Sequence, residues 1–165
     1  MAKTQPQDLL KVIDDIDKAI IQALQIDGRR SYTDLAEDLG ITVGTVRNRV
    51  QRLIDNKLIK IVGVVDPFKT GMPTVTMFGL KVKLNKLEEV SQALVAIPEI
   101  RFVAAATGAF DLYAEAITDS NQDLYRIIKE EISKIDGIEL IDTSMILEIY
   151  KQSYDWGVKT NKELD

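Results

Sequence analysis

The side chains best suited to chemistry lie between residues 29 and 52, where cations alternate with small and amide-bearing residues. Guanidinium groups bind phosphate and guanine, while hydroxyl and amide groups hydrogen-bond to base edges. Small residues near the start of a helix let its backbone approach those edges. The sequence therefore predicts a DNA-contacting surface made of Arg29, Ser31, Thr42, Gly44, Thr45, Arg47, Asn48, Arg49, Gln51 and Arg52.

Residues 31–59 have the pattern of two short helices joined by a tight turn. Ser31 and Asp34 resemble a capping box, Gly40 ends the first helix, and Thr42 is a good N-cap for the second. The second helix has apolar residues at i, i+4 and i+7, which are Val46, Val50 and Leu53. Its polar residues fall on the opposite side, as in a helix-turn-helix whose second helix enters a major groove. The alternative is the solvated face of an ordinary helix.

The charge distribution favours the first interpretation. Residues 28–62 hold seven cations and four anions, a net charge of +3, whereas the whole chain is −5 and the remainder is therefore −8. An acidic protein with one basic surface binds a polyanion through that surface alone.

Composition argues against an enzyme. The chain has no cysteine and no histidine, which removes thiolate nucleophiles, the commonest general base and most zinc ligands. We expect no catalytic residues, no metal site and no cofactor. No apolar run is long enough to span a bilayer, and the amino terminus lacks a signal-peptide pattern, so we expect a cytoplasmic protein.

The second half of the chain alternates between strand and helix patterns. We predict an α+β protein with a helix-turn-helix domain at 1–65, a linker at 66–73, a second domain at 74–150 and a tail at 151–165. The second domain has the order β-α-β-β-α-β, which is typical of a ferredoxin-like fold with both helices on one sheet face. Leu58–Val65 is β-prone and short, so we predict a wing or strand there.

The uncovered face of this sheet is predicted to be apolar. The residues that fall partly on it are Val75, Met77, Val103, Ile141, Met145, Leu147 and Ile149. A face of this kind is too apolar to remain exposed, so we expect it to be buried in a homodimer. The alternative is a set of scattered surface apolar residues.

Residues 13–150 resemble the Lrp/AsnC transcription regulators of bacteria and archaea. The resemblance lies in three stretches, IDDIDKAIIQALQIDGRRSYTDLAEDLGITVGTVRNRVQRL, LIKIVGVVDPFKTG and TGAFDLYAEA. It implies a winged helix-turn-helix joined to a ferredoxin-like domain that senses an amino acid. It also implies homodimers that assemble into tetramers, octamers or higher species, with the amino acid bound between dimers.

Two positions depart from the family pattern. Lys57 stands where the turn after the recognition helix commonly has glycine. The effector loop commonly reads glycine, acidic residue, aromatic residue, aspartate, whereas Ala109 replaces the acidic residue here, which puts the identity of the effector in doubt.

An effector site is still physically reasonable at this loop. Backbone N–H groups around Gly108 suit a ligand carboxylate, and Asp111 suits an α-ammonium group. We predict effector contacts from Thr107, Gly108, Ala109, Phe110 and Asp111, with Gly137, Thr143 and Ser144 contributed by a neighbouring subunit. The alternative is a plain hairpin turn.

Three functions fit this architecture. The first is a sequence-specific transcriptional regulator that responds to a free amino acid. The second is a DNA-organising protein of low specificity. The third is an enzyme resembling the siroheme decarboxylases, whose chemistry is expected to depend on histidine, which this chain lacks.

Overall fold

The computed structural model describes residues 13–158, and contacts divide them into two compact units. The first unit contains the residues up to Gly63 together with those from Lys151 onward, and the second runs from Val64 to Tyr150. The tail from residue 151 thus belongs with the amino-terminal unit, and the predicted linker 66–73 belongs with the second unit. None of the described helices combines the length and the apolar character that a bilayer crossing needs.

The first unit contains three helices: α1 (Asp15–Ile26), α2 (Tyr32–Leu39) and α3 (Val43–Asp55). α2 and α3 begin at the predicted N-caps, Ser31 and Thr42, and α1 begins at Asp14. The side chain of each cap accepts a hydrogen bond from the backbone N–H three residues later. Gly40 ends α2 in the left-handed region, with φ 62°. These local contacts satisfy the free N–H groups at the helix starts and fix where each helix begins.

The core of this unit is formed by the apolar faces of the three helices. Its buried members are Ile20, Ile21, Leu35, Ala36, Val46, Val50 and Leu53. The prediction that Val46, Val50 and Leu53 mark the buried face of α3 is confirmed. With that face turned inward, the opposite side of α3 is directed to solvent.

The segment after α3 has no strand. Leu58 and Ile59 pack against the three-helix core, but residues 59–66 form neither helix nor strand in the described chain. The predicted wing is therefore not formed within this chain. Ile61, Val62, Val64 and Val65 are all exposed.

The second unit contains β1 (Thr74–Val82), α4 (Leu87–Val95), β2 (Ile100–Ala105), β3 (Leu112–Thr118), α5 (Asn121–Glu130) and β4 (Ile138–Ile146). The antiparallel sheet has the order β2-β3-β1-β4. Each helix connects one pair of strands, and the predicted β-α-β-β-α-β order is confirmed. The core between helices and sheet is built on Phe78, Leu80 and Leu112, which are completely buried.

Two register shifts change which residues lie on which sheet face. One lies between Ile100 and Phe102 and the other between Lys81 and Val82. An extra residue in a strand reverses the alternation beyond it. Val103 and Ile141, predicted on the uncovered face, consequently pack against the helix-side core, and that part of the prediction was wrong.

The same shifts turn other residues outward. The side chains of Phe102 and Leu140 are 50% and 51% exposed. Met145 pairs with Thr76 on the helix side, so its predicted place on the uncovered face was also wrong. Val75 and Met77, on either side of Thr76, lie on the uncovered face, as predicted. β4 ends at Ile146, so Leu147 and Ile149 lie beyond the sheet.

The tail crosses back to α1 of the first unit. The Gln25 amide donates to the carbonyls of Tyr154 and Trp156, both at 2.8 Å, and the Gln22 amide donates to that of Val158 at 3.2 Å. Val158 also packs against the three-helix core. The tail is thus a fourth component of the amino-terminal unit.

Candidate nucleic-acid interface and effector loop

The amino-terminal half of α3 presents small and polar groups to solvent. Thr42 caps the helix, and its hydroxyl lies 2.9 Å from that of Thr45. A Cβ atom added at Gly44 would meet only the Thr42 hydroxyl oxygen, at 3.8 Å. Nothing in the fold demands glycine at that position, although glycine weakens a helix. The absence of a side chain at Gly44 lets another surface come close to the helix backbone.

Arg47, Asn48 and Gln51 are exposed on the same side of α3. Arg47 forms no ion pair within residues 13–158, and the Gln51 amide donates to Asp55 at 2.8 Å. Arg29 lies before α2 with its side chain 95% exposed and its Nε 3.9 Å from the Asp27 carboxylate. These four side chains, together with Gly44, lie where the sequence predicts a DNA-contacting surface.

Arg49 and Arg52 are not free in the same way. Arg49 donates to both oxygens of Asp14, at 2.9 and 2.7 Å, and to Asp17 at 2.8 Å. Arg52 donates to the other oxygen of Asp17. Arg30 is similarly paired with Asp38. Three of the seven cations of residues 28–62 are thus held by hydrogen-bonded ion pairs within the unit, and a fourth, Arg29, has a longer ion-pair contact with Asp27 at 3.9 Å.

These contacts also change proton affinities. The pKa of Asp14 lies below its ordinary value, chiefly because the backbone N–H of Asp17 donates to it; partial burial opposes this, and the Arg49 guanidinium adds to it. The pKa of Arg49 is raised by its hydrogen bonds to Asp14 and then to Asp17. Both groups stay charged at neutral pH.

Asp17 is not among the residues that the sequence predicts to have a functional role. It lies four residues after Ile13 and three before Ile20, within the apolar stripe of α1, and it is 0% exposed. A carboxylate in an inward-facing stripe requires a buried partner, since an unpaired buried charge is very costly. The presence of an aspartate in the apolar stripe of α1 was therefore the sequence signal that could have identified this residue.

Lys57 ends α3 in the left-handed region, with φ 57°. Its N–H donates to Ile54, and the next N–H, that of Leu58, donates to Leu53, which closes the helix. A side chain in this region is strained, which explains why glycine is common at such positions. Lys57 places an exposed cation directly after α3 in spite of that strain.

The predicted effector loop joins β2 to β3. Thr107, Gly108 and Ala109 are exposed, and Gly108 has φ 118°, a conformation that favours glycine. The Phe110 ring lies directly on Gly79 of β1, where an added Cβ atom would come within 2.5 Å of the ring. Phe110 also makes an edge-to-face contact with Tyr113, at 5.8 Å between centroids. An aromatic anchor therefore holds the loop against the sheet.

Asp111 ties the other end of the loop to β1. Its carboxylate accepts from the Val82 backbone N–H at 3.0 Å and from the Lys81 ammonium at 3.4 Å. The Val82 hydrogen bond lowers the pKa of Asp111, burial opposes the effect, and Lys81 adds to it. Asp111 thus has a structural task within the chain, and its predicted contact with an α-ammonium group remains a prediction.

The three remaining effector candidates are not gathered into one place within the chain. Gly137 has φ 102°, and a Cβ atom there would come within 2.7 Å of the Lys86 Cβ, so the backbone itself requires glycine. Thr143 and Ser144 are exposed neighbours opposite Phe78 and Met77, and consecutive strand residues point to opposite faces. A single ligand in one chain would not meet both side chains.

Comparison with known proteins was informative for both units. Residues 13–54 match the AsnC-type helix-turn-helix domain, and residues 76–156 match the Lrp/AsnC ligand binding domain. An uncharacterized HTH-type transcriptional regulator of Pyrococcus furiosus is 35% identical over 87% of this chain and 97% of its own. The HTH-type transcriptional regulator FL11 of the same organism is 32% identical over 90% of this chain and 98% of its own.

Solved structures share the fold. The structure of Escherichia coli AsnC superposes with a TM-score of 0.76 at 22% identity, covering 86% of this chain and 97% of that one. A transcriptional regulator of Neisseria meningitidis in complex with L-Met gives a TM-score of 0.78 at 18% identity, covering 92% and 99%. Both matched domains, and relatives aligned over nearly their whole length, make this chain a member of the Lrp/AsnC family of helix-turn-helix transcriptional regulators.

Proposed function

We propose that this regulator reads an operator through the exposed face of α3, acts as a homodimer, and changes its assembly when an amino acid binds at the β2–β3 loop. The observation that carries the proposal is the solvent-directed row of Gly44, Arg47, Asn48 and Gln51 on a helix whose opposite face is completely buried. A helix held in this way can enter a major groove with its polar side toward the bases.

Each member of that row has a suitable chemical task. The Asn48 amide can form two hydrogen bonds with an adenine base, and the Arg47 guanidinium can bind guanine or a phosphate. Gly44 lets the start of the helix approach the bases, while Arg29 and Lys57 bracket the helix as phosphate contacts. We expect binding to weaken steeply with salt, because each phosphate contact releases counterions.

Homodimer formation is supported by apolar surface left open in both units. Ile61, Val62, Val64 and Val65 are exposed on a segment that forms neither helix nor strand in the described chain. Phe102 and Leu140 are half exposed on the uncovered sheet face. A second copy would cover such surfaces, and its two-fold symmetry implies an operator with near-palindromic half-sites. Further assembly to tetramers or octamers follows the family resemblance.

An amino-acid effector is supported by the ligand domain and by the L-Met bound to the Neisseria regulator. In this chain the exposed backbone around Gly108 suits the effector carboxylate. Asp111 has remaining acceptor capacity for its ammonium group. Residues of β4 such as Thr143 or Ser144 would come from a neighbouring subunit. Binding between subunits would change their assembly and thereby DNA affinity, a coupling of about 1–3 kcal/mol.

The proposal is tested by selecting bound duplexes from a random pool and then titrating the best one and a scrambled competitor. We expect a near-palindromic consensus and a preference of about a thousandfold or more. Equal binding to both duplexes would instead favour a DNA-organising role of low specificity and overturn the proposal.

The effector is tested separately by measuring the thermal midpoint with each of the twenty amino acids, together with light scattering. We expect at least one amino acid to raise the midpoint and to change the assembled mass. No response to any of them would contradict the effector part of the proposal and leave the DNA-binding part standing.

A further inference from the structure

Asp17 differs from every other acidic residue among residues 13–158, because it alone is both charged and buried. Its position in α1 places it on the inner side of the helix, facing α3. Burying a carboxylate is unfavourable unless all its lone pairs are satisfied. The partners that satisfy it therefore indicate what the residue is for.

Those partners are the two arginines of the recognition helix. One Asp17 oxygen accepts from Arg49 at 2.8 Å, and the other accepts from Arg52 and, at 3.2 Å, from the backbone N–H of Asp14. Arg49 is further held by both oxygens of Asp14. Arg49 and Arg52 are three residues apart and therefore lie on the same side of α3. The Asp17 carboxylate thus binds two side chains of this helix.

The ion pairs of Asp17 with Arg49 and Arg52 constrain the rotation of α3 about its own axis. Apolar contacts through Val46, Val50 and Leu53 are tolerant of small rotations, whereas two charge-assisted hydrogen bonds have strict distances and angles. Asn48 directly precedes Arg49 in the sequence and lies on the exposed side of the helix. Fixing Arg49 and Arg52 therefore fixes the direction in which Asn48 points.

The same contacts keep two cations from acting freely. Arg49 is only 23% exposed and Arg52 is 44% exposed, although both lie near the surface that faces DNA. Guanidinium groups released from Asp17 could reach phosphates of any sequence. Such contacts strengthen binding to all DNA and carry no sequence information.

We propose that Asp17 is a positioning residue for sequence discrimination: it sets the orientation of α3 and withholds Arg49 and Arg52 from indiscriminate phosphate binding. The inference rests on the proposed function, since it concerns how the selected operator is distinguished from other DNA. Buried ion pairs contribute little to stability on balance but can specify one arrangement over others.

The test compares Asp17→Asn with Asp15→Asn in the full chain. Both substitutions remove one negative charge from α1, but Asp15 is paired only with Lys18 and touches neither arginine. Affinities for the selected operator and for scrambled duplex are measured over a range of salt, at a temperature where circular dichroism shows each protein folded.

We expect Asp17→Asn to reduce the operator preference by about tenfold or more, a loss of about 1.4 kcal/mol of discrimination. The slope of log affinity against log salt for scrambled DNA should steepen by about one, because Arg52 loses its ion-pair partner whereas Arg49 keeps Asp14. Asp15→Asn should change neither quantity appreciably. Equal weakening on both duplexes with an unchanged salt slope would mean a purely structural role and overturn the inference.

Arg49→Lys provides a second variant if Asp17→Asn does not fold. It keeps the charge but removes the guanidinium nitrogen that donates to both Asp14 and Asp17. We expect a smaller loss of preference in the same direction, and an unchanged preference would overturn the inference. A wild-type protein that prefers no duplex would instead refute the proposed function, so the two failures are distinguishable.

Discussion

The two units hold their candidate sites in place by different means. In the amino-terminal unit, side chains hold the site in place: Thr42 caps α3 by accepting from the Thr45 backbone N–H, and Asp14 and Asp17 bind Arg49 and Arg52. In the second unit, the backbone carries the site: Val82 binds Asp111, and Gly79 leaves room for Phe110. A site of the first kind can be altered by exchanging polar groups, whereas a site of the second kind tolerates no added bulk at its glycines.

The largest difference between the units is expected at two glycines with positive φ. Gly137→Ala combines strain at φ 102° with a collision against the Lys86 Cβ, so we expect a loss of about 3 kcal/mol. Gly40→Ala has φ 62° but no neighbour within 4 Å, so about 1 kcal/mol is expected. Hydrogen exchange, which reports each unit separately, measures both. Equal losses of stability in Gly137→Ala and Gly40→Ala would contradict the expected difference between the two units.

A smaller effect is expected from two matched N-caps. The hydroxyls of Thr42 and Ser120 each accept from the N–H three residues later, at 3.1 Å, at the starts of α3 and α5. Alanine at either position should cost about 1 kcal/mol of stability. Only Thr42→Ala should also weaken operator binding in an anisotropy titration. An equal effect of Ser120→Ala on DNA would contradict the assignment of α3 as the reading helix.

Acid should affect both units through carboxylates whose pKa is lowered by a backbone donor. The stability that Asp14 and Asp111 contribute is complete above their ordinary pKa of 3.8 and is lost as the pH falls through the lower values of the folded state. Urea unfolding at pH 6 and pH 3 should show a smaller acid loss for Asp14→Asn and for Asp111→Asn than for the wild type. An unchanged acid loss in either variant would refute that carboxylate's contribution.

The smallest effect is expected at Lys57, where strain and charge are opposed. Lys57→Gly should relieve the left-handed strain and raise stability by about 0.5 kcal/mol, while Lys57→Ala should not. Both variants should weaken DNA binding by the same modest factor, because both lose the cation. If DNA binding is unaffected in both, Lys57 makes no phosphate contact.

Much of the first unit could be predicted because its determinants are local. The caps at Ser31 and Thr42 and the stop at Gly40 are each readable within four residues of sequence. The pairing of Asp17 with Arg49 and Arg52 was not predictable in the same way, since these partners lie 32 and 35 residues away in the sequence. Only the misfit of a carboxylate in an apolar stripe hinted at it.

In the second unit the order of elements was predictable, but the details of packing were not. Its order of strands and helices follows from periodicity, but the faces of Val103 and Ile141 depend on register shifts that no short pattern reveals. The segment 58–65 has strand composition without a partner strand in the described chain, which sequence alone does not foresee. The packing of Phe110 on Gly79 likewise depends on two residues brought together by the sheet.

The central claim is that the exposed face of α3 reads DNA, and Asn48 tests it most directly. Asn48→Ala removes the amide without disturbing the buried face, and Asn85→Ala removes an exposed amide from the second unit. Fluorescence anisotropy with the selected operator should show a loss of about 1–3 kcal/mol for Asn48→Ala and none for Asn85→Ala. Unchanged operator affinity in a folded Asn48→Ala protein would contradict the account.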